Sequence, residues 1–209
     1  MGVCALVAAS DFNASYFQQR FQSGAFAHIV AVDAGYSHLE ALGVRPHTVL
    51  GDFDSLGFVP AAENLVRYPS HKDKSDLELA FDFALENGFS SVEVYGALGG
   101  RVDHTLANLQ LFARFAEAGM QVVVCGNDSA LRVLVGPATF ELPSVSAGTV
   151  SVFSAGDCAY GVTESGLEYP LENAQLSNRT SLGLSNELKG KSASVSVQKG
   201  TLYVFYPLA

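Results

Sequence analysis

Residues 75–95, SDLELAFDFALENGFSSVEVY, join the two kinds of element from which the fold of this chain can be inferred. Apolar residues recur with helical spacing over 76–86, which predicts an amphipathic helix there. Ser75 and Glu78 have the spacing of a capping box, which indicates where that helix begins. The short Val-rich run at 91–95 is typical of a buried strand.

The same alternation of strand and helix extends along the first two thirds of the chain. A second helical pattern covers 104–117 and places Leu106, Phe112 and Ala116 on its inward face. This alternation predicts an α/β fold with a Rossmann-like, mostly parallel sheet and helices on both faces, whose ligands bind beyond the carboxyl ends of the strands. Further short apolar runs that we interpret as strands are 3–8, 28–32, 48–50, 121–125 and 131–135.

The last third of the chain has a different pattern. After Gly136-Pro137 the helical period gives way to short alternating segments, which predict a small antiparallel β-sandwich. Lys199-Gly200 separates the last two of these segments and predicts a tight hairpin. We therefore expect two domains, an α/β domain at 1–138 and a β-sandwich domain at 139–209.

Composition and charge restrict the class of protein. The chain has 209 residues, 48% of them hydrophobic, and a net charge of −9. The acidic balance argues against a nucleic-acid partner, since binding phosphates requires a basic surface. No apolar run approaches the roughly 18 residues that span a bilayer, so no membrane partner is expected. Cys4, Cys125 and Cys158 form no CxxC pair, which favours a reduced, cytoplasmic setting.

Aspartates concentrate where predicted strands end or predicted helices begin. Because those positions share one edge of a parallel sheet, we expect a cluster of carboxylates there. Asp52 and Asp54 are two residues apart, so in extended chain their Cα atoms would lie roughly 6.5 Å apart with both side chains on one side. Such a pair suits Mg²⁺, which takes one or two carboxylates and shares the rest of its shell with substrate phosphates. The six aspartates at this edge are Asp33, Asp52, Asp54, Asp73, Asp76 and Asp103.

Other interpretations of these acids remain open. Ser75 and Asp76 could have structural roles only, as the cap and the first-turn acid of a helix. Asp103 could likewise serve only to cap its helix. Asp33-Ala34-Gly35 could be a simple turn. Gly99-Gly100-Arg101 adds a phosphate-binding pattern, because glycine amides can approach an anion closely and arginine pairs with phosphate oxygens. Together these features predict a shared metal and phosphate site.

Five segments resemble the thiamine pyrophosphokinase family in order and spacing. The resemblance implies an α/β nucleotide domain followed by a β-sandwich. It also implies transfer of a diphosphoryl group from ATP to thiamine with Mg²⁺, giving thiamine diphosphate and AMP, in a homodimer with thiamine at the interface. The segments are DAG at 33–35, GDFDS at 51–55, DKSDLE at 73–78, GALGGRVDHT at 96–105 and GLSNE at 183–187.

The resemblance also implies roles for individual residues. The implied catalytic and metal-binding acids are Asp52, Asp54, Asp76 and Asp103. The implied nucleotide-binding residues are Asp33, Asp73, Gly99, Gly100 and Arg101, and those of the thiamine pocket are Ser185 and Asn186. Ala34 replaces a usual glycine, and the chain has no Trp to stack on thiamine. Two alternatives stay open: a Mg²⁺-dependent nucleotide or diphosphate hydrolase, and a non-catalytic sensor of thiamine or nucleotide.

Overall fold

The computed structural model describes residues 2–53, 62, 64–69 and 73–208. The chain divides into two compact units. The first comprises Met1–Leu111 and Gly119–Asn127, and the second Phe112–Ala118 and Asp128–Ala209. None of the helices in the described ranges is long and apolar enough to cross a membrane.

The first unit is built on parallel strands that lie in the order β6-β5-β1-β2-β3-β4. A short 3₁₀ helix at Asp33–Gly35 follows β2, and residues 102–111 of α4 belong to this unit. The elements are β1 (Val3–Val7), α1 (Ala14–Gln22), β2 (Phe26–Val32), α2 (Tyr36–Ala41), β3 (Thr48–Gly51), β4 (Asn64–Arg67), α3 (Asp76–Glu86), β5 (Ser91–Tyr95), α4 (Val102–Glu117) and β6 (Gln121–Cys125).

Helices cover both faces of this parallel sheet. Alternate residues of a strand point to opposite faces, and Ala5 and Val7 of β1 share one core cluster with Phe17 of α1 and Leu39 of α2. Helix α3 contacts β1, β2 and β3 and buries Phe81, which lies outside that cluster. The predicted mostly parallel sheet with helices on both faces is therefore confirmed.

Helix α3 and strand β5 have the bounds that the sequence predicts. Helix α3 runs from Asp76 to Glu86, and the Ser75 side chain accepts a hydrogen bond from the Glu78 amide at 3.2 Å. Helix α4 begins two residues earlier than the predicted 104. Its predicted inward face is wrong at Leu106, which is 58% exposed. None of residues 102–111 is buried, and the buried residues of α4 begin at Phe112.

The strands of the second unit pair antiparallel and belong to two sheets, as the alternating pattern predicts. Their strand orders are β12-β9-β14-β7 and β11-β10-β13-β8. Alternate residues such as Val150 and Val152 of β9 and Leu202 and Val204 of β14 are buried. The strands are β7 (Ser129–Val135), β8 (Ala138–Glu141), β9 (Thr149–Ser154), β10 (Cys158–Ser165), β11 (Leu171–Ser177), β12 (Asn186–Glu187), β13 (Ser194–Val197) and β14 (Thr201–Pro207).

The predicted hairpin at Lys199-Gly200 is wrong. Strand β13 pairs with β8 and β10, whereas β14 pairs with β7 and β9, so the two strands lie in different sheets. The backbone between them bonds to separate neighbours: the Lys199 amide donates to the Tyr160 carbonyl, and the Gly200 carbonyl accepts from the Gly136 amide. Lys199-Gly200 therefore carries the chain from one sheet to the other.

A close backbone approach fixes the turn after β2. Gly35 has an ordinary helical backbone with φ of −58°, so its conformation alone does not require glycine. A Cβ at this position would instead overlap the carbonyl oxygen of Val7 at the end of β1. The glycine of the DAG segment is needed because the turn passes directly against β1.

We predict that Gly35→Ala lowers the free energy of unfolding by about 2 kcal/mol or more, since no side-chain rotation can relieve an overlap with backbone. Gly156→Ala is the matched control, because a Cβ there would meet no atom within 4 Å. The control should change stability by no more than about 0.5 kcal/mol. Urea denaturation measures both, and equal stabilities for the two variants would contradict the close approach.

A pair of histidines in the first unit predicts a pH dependence of stability. The rings of His28 and His47 stack at 4.8 Å, and His28 Nε2 lies 3.0 Å from the Thr48 hydroxyl. Burial, with a smaller contribution from His47, lowers the pKa of His28. The unfolded chain therefore binds a proton at higher pH than the native chain, and native stability falls as the pH drops below about 6.5.

We predict that His28→Gln flattens this loss of stability between pH 7 and pH 5. The measurement is the free energy of unfolding in urea at a series of pH values. His104→Gln, which removes an exposed histidine, is the control. An undiminished pH dependence in His28→Gln would assign the loss to other groups.

Candidate active site

A cleft of about 410 Å³ opens at the carboxyl end of the parallel sheet of the first unit. The segments after β1, β2 and β5 line it, together with the N-terminal ends of α3 and α4. This is the edge at which sheets of this type bind ligands. The polar lining includes Ser10, Asp33, Ser75, Asp76, Arg101, His104 and Asn108.

Backbone contacts hold the loop after β5 against the end of β1. The Ser10 amide donates to the Gly96 carbonyl at 2.7 Å. Gly96 has a φ of +64°, and a Cβ there would overlap the carbonyl oxygen of Ala8. On its other side the loop is tied to α4, because the Asn108 side chain donates to the Ala97 carbonyl at 2.8 Å. The start of the loop that carries Gly99 and Gly100 is thus held on two sides, by the end of β1 and by α4.

Asp33 and Asp52 follow the neighbouring strands β2 and β3. A Cβ on Gly51 would lie 3.1 Å from the Cα of Asp33, so the two strand ends are in contact. Asp33 lines the cleft and has a φ of +48°, and Phe53 has a φ of +65°; both values are uncommon for residues other than glycine. Such backbone strain is frequent at functional sites. Asp54 lies outside the described residues.

Asp76 faces the cleft at the start of α3. Ser75 supplies the N-cap, so the cap does not account for Asp76, which is half-buried and lines the cleft. A carboxylate in the first turn is favoured by the helix dipole. Asp73 is exposed and is not among the lining residues.

Arg101 and Asp103 form a bidentate ion pair at the rim of the cleft. Arg101 Nε donates to Asp103 Oδ1 at 3.1 Å, and Nη2 lies 2.6 Å from Oδ2. The Arg101 guanidinium lowers the pKa of Asp103 to about 2. Arg101 lines the cleft and Asp103 does not, so this arrangement joins the expected phosphate-binding cation to an expected metal ligand.

The carboxylates bear on whether the site fits Mg²⁺. No group of three or more His, Cys, Asp or Glu side chains that could hold a metal is found within the described ranges, which do not include Asp54. Mg²⁺ needs only one or two carboxylates when phosphates and waters complete its shell, and Asp76, one of the acids expected to hold it, lines the cleft, as does Asp33. The donor set therefore fits a magnesium ion held jointly with a phosphate substrate.

Sequence reasoning missed Ser10 and Asp11, which follow β1. A Cβ on Gly99 would overlap Asp11 Oδ2, and one on Gly100 would lie 3.2 Å from Ser10 Oγ. Asp11 is thus a seventh acid at this edge. The signal that could have found it is its position in the segment that follows a buried strand, although β1 ends at Val7 whereas Asp33 and Asp52 follow their strands directly. A phosphate close to Gly99 would meet the Asp11 carboxylate, and a cation between them would relieve the repulsion.

The second unit has its own cleft, of about 190 Å³, beside Asn186. The Asn186 amide is fully used by protein: Nδ2 donates to Glu164 Oε2 and the Tyr169 carbonyl, both at 2.7 Å. Its Oδ1 accepts from the Tyr169 and Glu187 amides, both at 2.9 Å. Ser185 is exposed, has a φ of +59°, and its amide donates to Ser151 Oγ at 3.0 Å. Asn186 therefore organises this cleft.

Two models of one protein family match the chain. "Thiamin pyrophosphokinase, catalytic domain" matches residues 24–124, and "Thiamin pyrophosphokinase, vitamin B1 binding domain" matches residues 139–202. The first match contains most of the parallel sheet and its cleft. The second contains the cleft beside Asn186.

Individual proteins of this family are also similar. The chain is 29% identical over 180 residues to thiamine pyrophosphokinase of Bacillus subtilis (strain 168), a match that covers 83% of this chain and 84% of that protein. The crystal structure of thiamin pyrophosphokinase from Geobacillus thermodenitrificans superposes with a TM-score of 0.81 at 28% identity, covering 99% of this chain and 98% of that chain. The Bacillus subtilis crystal structure gives a TM-score of 0.82 at 24% identity, covers 98% of each chain and supports the fold. With both of its domains matched in order and its fold shared, this chain belongs to the thiamin pyrophosphokinase family.

Proposed function

We propose that this enzyme transfers the diphosphoryl group of MgATP to the hydroxyethyl group of thiamine, giving thiamine diphosphate and AMP. Synthesis of thiamine diphosphate from thiamine is the activity that family membership supports. The observation that carries the finer proposal is the cleft lined by Asp33 and Asp76, at the sheet edge where the catalytic-domain model matches. The proposed setting is the cytoplasm.

The first domain, 1–138, binds ATP in this proposal. Asp52, Asp54, Asp76 and Asp103 hold Mg²⁺, which neutralises charge on the phosphate oxygens when bound. Asp33 and Asp73 orient the nucleotide from the same edge. The Gly99 and Gly100 amides and the Arg101 guanidinium bind phosphate oxygens.

The reaction is an in-line displacement at the β-phosphorus. The hydroxyl oxygen of thiamine forms a bond to that phosphorus, and the bond to the oxygen bridging to the α-phosphorus breaks. AMP leaves with the electron pair, and an aspartate of the acidic edge accepts the hydroxyl proton. Positioning and charge neutralisation supply most of the rate enhancement in reactions of this class.

Arg101 and Asp103 have to separate for both to act on MgATP. Their ion pair is exposed, and exposed pairs contribute little to stability because water and salt screen them. Opening the pair is therefore a small cost. With MgATP bound, Arg101 would pair with phosphate oxygens and Asp103 would help to hold the magnesium ion.

We predict that Asp76→Asn lowers turnover at least about a hundredfold, the scale of losing one electrostatic contact to a reacting group. The fold should survive, since Ser75 and not Asp76 caps α3. The measurement is formation of thiamine diphosphate and AMP from MgATP and thiamine. Glu86→Gln, at the exposed opposite end of the same helix, is the matched control and should keep wild-type turnover.

The same assay separates the proposal from its alternatives. Release of AMP or ADP by the wild-type chain without thiamine would favour a hydrolase. Binding of thiamine or ATP without turnover would favour a sensor. Either result, or near-normal turnover in Asp76→Asn, would contradict the proposed roles.

The second domain, 139–209, binds thiamine in this proposal, and two copies of the chain form a homodimer. Apolar side chains around its cleft are exposed: Tyr169 is 62% exposed, Leu182 50% and Leu184 55%. Grouped apolar surface of this kind is typical of a binding or association site. Ser185 and Asn186 lie on the same segment.

We predict that the wild-type chain sediments at twice its mass of 22.1 kDa and that Leu184→Glu shifts it toward the monomer. A carboxylate at this position would have to lose water on association. Leu85→Glu, at a leucine of similar exposure on α3, is the control and should leave the mass unchanged. A monomeric wild-type chain would rule out the proposed homodimer.

A further inference from the structure

The cleft of the second unit contains a buried carboxylate with one oxygen unused. Glu164 of β10 is 1% exposed, and its Oε2 accepts the hydrogen bond from Asn186. Its Oε1 is buried and has no hydrogen-bond partner among the residues that the structure describes. A buried oxygen without a hydrogen bond destabilises the fold, and a bound ligand that donates to it would remove this cost.

The unused oxygen belongs to a residue that lines the cleft. Glu164 and Gly183 both line it, and a Cβ on Gly183 would lie 3.6 Å from Oε1. The remaining walls are mostly apolar and include Leu171, Leu182 and the ring of Tyr169. A carboxylate oxygen between apolar walls suits a flat, mostly apolar group that carries an N–H donor.

Asn186 determines which carboxylate oxygen is left over. Its Oδ1 accepts two backbone N–H groups, from Tyr169 and Glu187, so the amide cannot be turned round without losing both bonds. Its NH₂ group must therefore point to Glu164 and the Tyr169 carbonyl. Glu164 can satisfy that donor with one oxygen only, and the other remains for a ligand.

We propose that Glu164 determines substrate specificity by accepting a hydrogen bond from the amino group on the pyrimidine ring of thiamine, with Asn186 as its positioning residue. This inference rests on the proposed function. That amino group is the ring N–H donor of thiamine, because the thiazolium ring has none. The cleft of about 190 Å³ is smaller than the about 300 to 1,000 Å³ of sites that enclose a whole ligand, which suits one ring of a two-ring substrate.

Glu164→Gln tests this proposal by replacing a hydrogen-bond acceptor in the cleft wall with a hydrogen-bond donor. Because Asn186 donates to residue 164, the oxygen of the new amide takes that bond and its NH₂ group turns to the cleft. The probes are thiamine and oxythiamine, in which a carbonyl oxygen replaces the amino group. Their dissociation constants are measured by calorimetry on the full chain.

The wild-type chain should bind thiamine at least tenfold more tightly than oxythiamine. In Glu164→Gln this ratio should fall at least tenfold, and it should stay at the wild-type value in the control Glu168→Gln, whose exposed carboxylate pairs with Lys189. If Glu164 had a structural role alone, the substitution would weaken the binding of both ligands equally. An unchanged ratio in a folded Glu164→Gln, or binding of neither ligand to the wild type, would overturn the proposal.

Two further outcomes are decided by the wild-type chain. Should Glu164→Gln not fold, the wild-type ratio decides, and a value near one overturns the proposal. Thiamine diphosphate formation by the wild type tests the proposed function separately. An active wild-type chain without a Glu164-dependent preference defeats this inference alone, whereas an inactive chain with that preference defeats the proposed function alone.

Discussion

Two glycines, Gly35 after β2 and Gly96 after β5, pass so close to the end of β1 that neither position has room for a methyl group. A Cβ on Gly35 would overlap the Val7 carbonyl oxygen, and one on Gly96 would overlap that of Ala8. Both obstacles are backbone atoms, so they cannot turn away as a side chain could. The segments after β2 and β5 must therefore pass directly against β1, and this brings Asp33 and the Gly99-Gly100 loop to one cleft.

The sequence predicted those elements whose signals are local. Helix α3 and strand β5 were located to the residue because a capping serine, a regular apolar period and a Val-rich run each act within a few residues. Helix α1 was missed because it is short and buries only Phe17, so its helical period rests on few apolar residues. The hairpin at Lys199-Gly200 was wrong for the opposite reason: a turn-forming dipeptide does not specify which strands pair, and here distant partners decide.

The acidic edge was predictable in position and less so in detail. Parallel strands place their carboxyl ends together, and Asp33, Asp52 and Asp76 accordingly lie at that edge. Sequence spacing could not indicate that Asp103 turns to Arg101, since this contact depends on the conformation of the loop that carries them. Asp11 was missed because its neighbours form no familiar motif and because it does not directly follow β1, which ends at Val7.

The two clefts use polar groups in opposite ways, and burial explains the difference. Arg101 and Asp103 are exposed, so their pair is weak and each can exchange its partner for a ligand. Glu164 and Asn186 are buried, where an unsatisfied polar group is costly and a satisfied one is held in a single orientation. In the proposed reaction the negative charge on the phosphates is redistributed between ATP and the products, and an exposed pair that can change partners suits that task. The proposed recognition of one thiamine ring needs a fixed hydrogen-bond acceptor, and the buried pair of Glu164 and Asn186 suits that role.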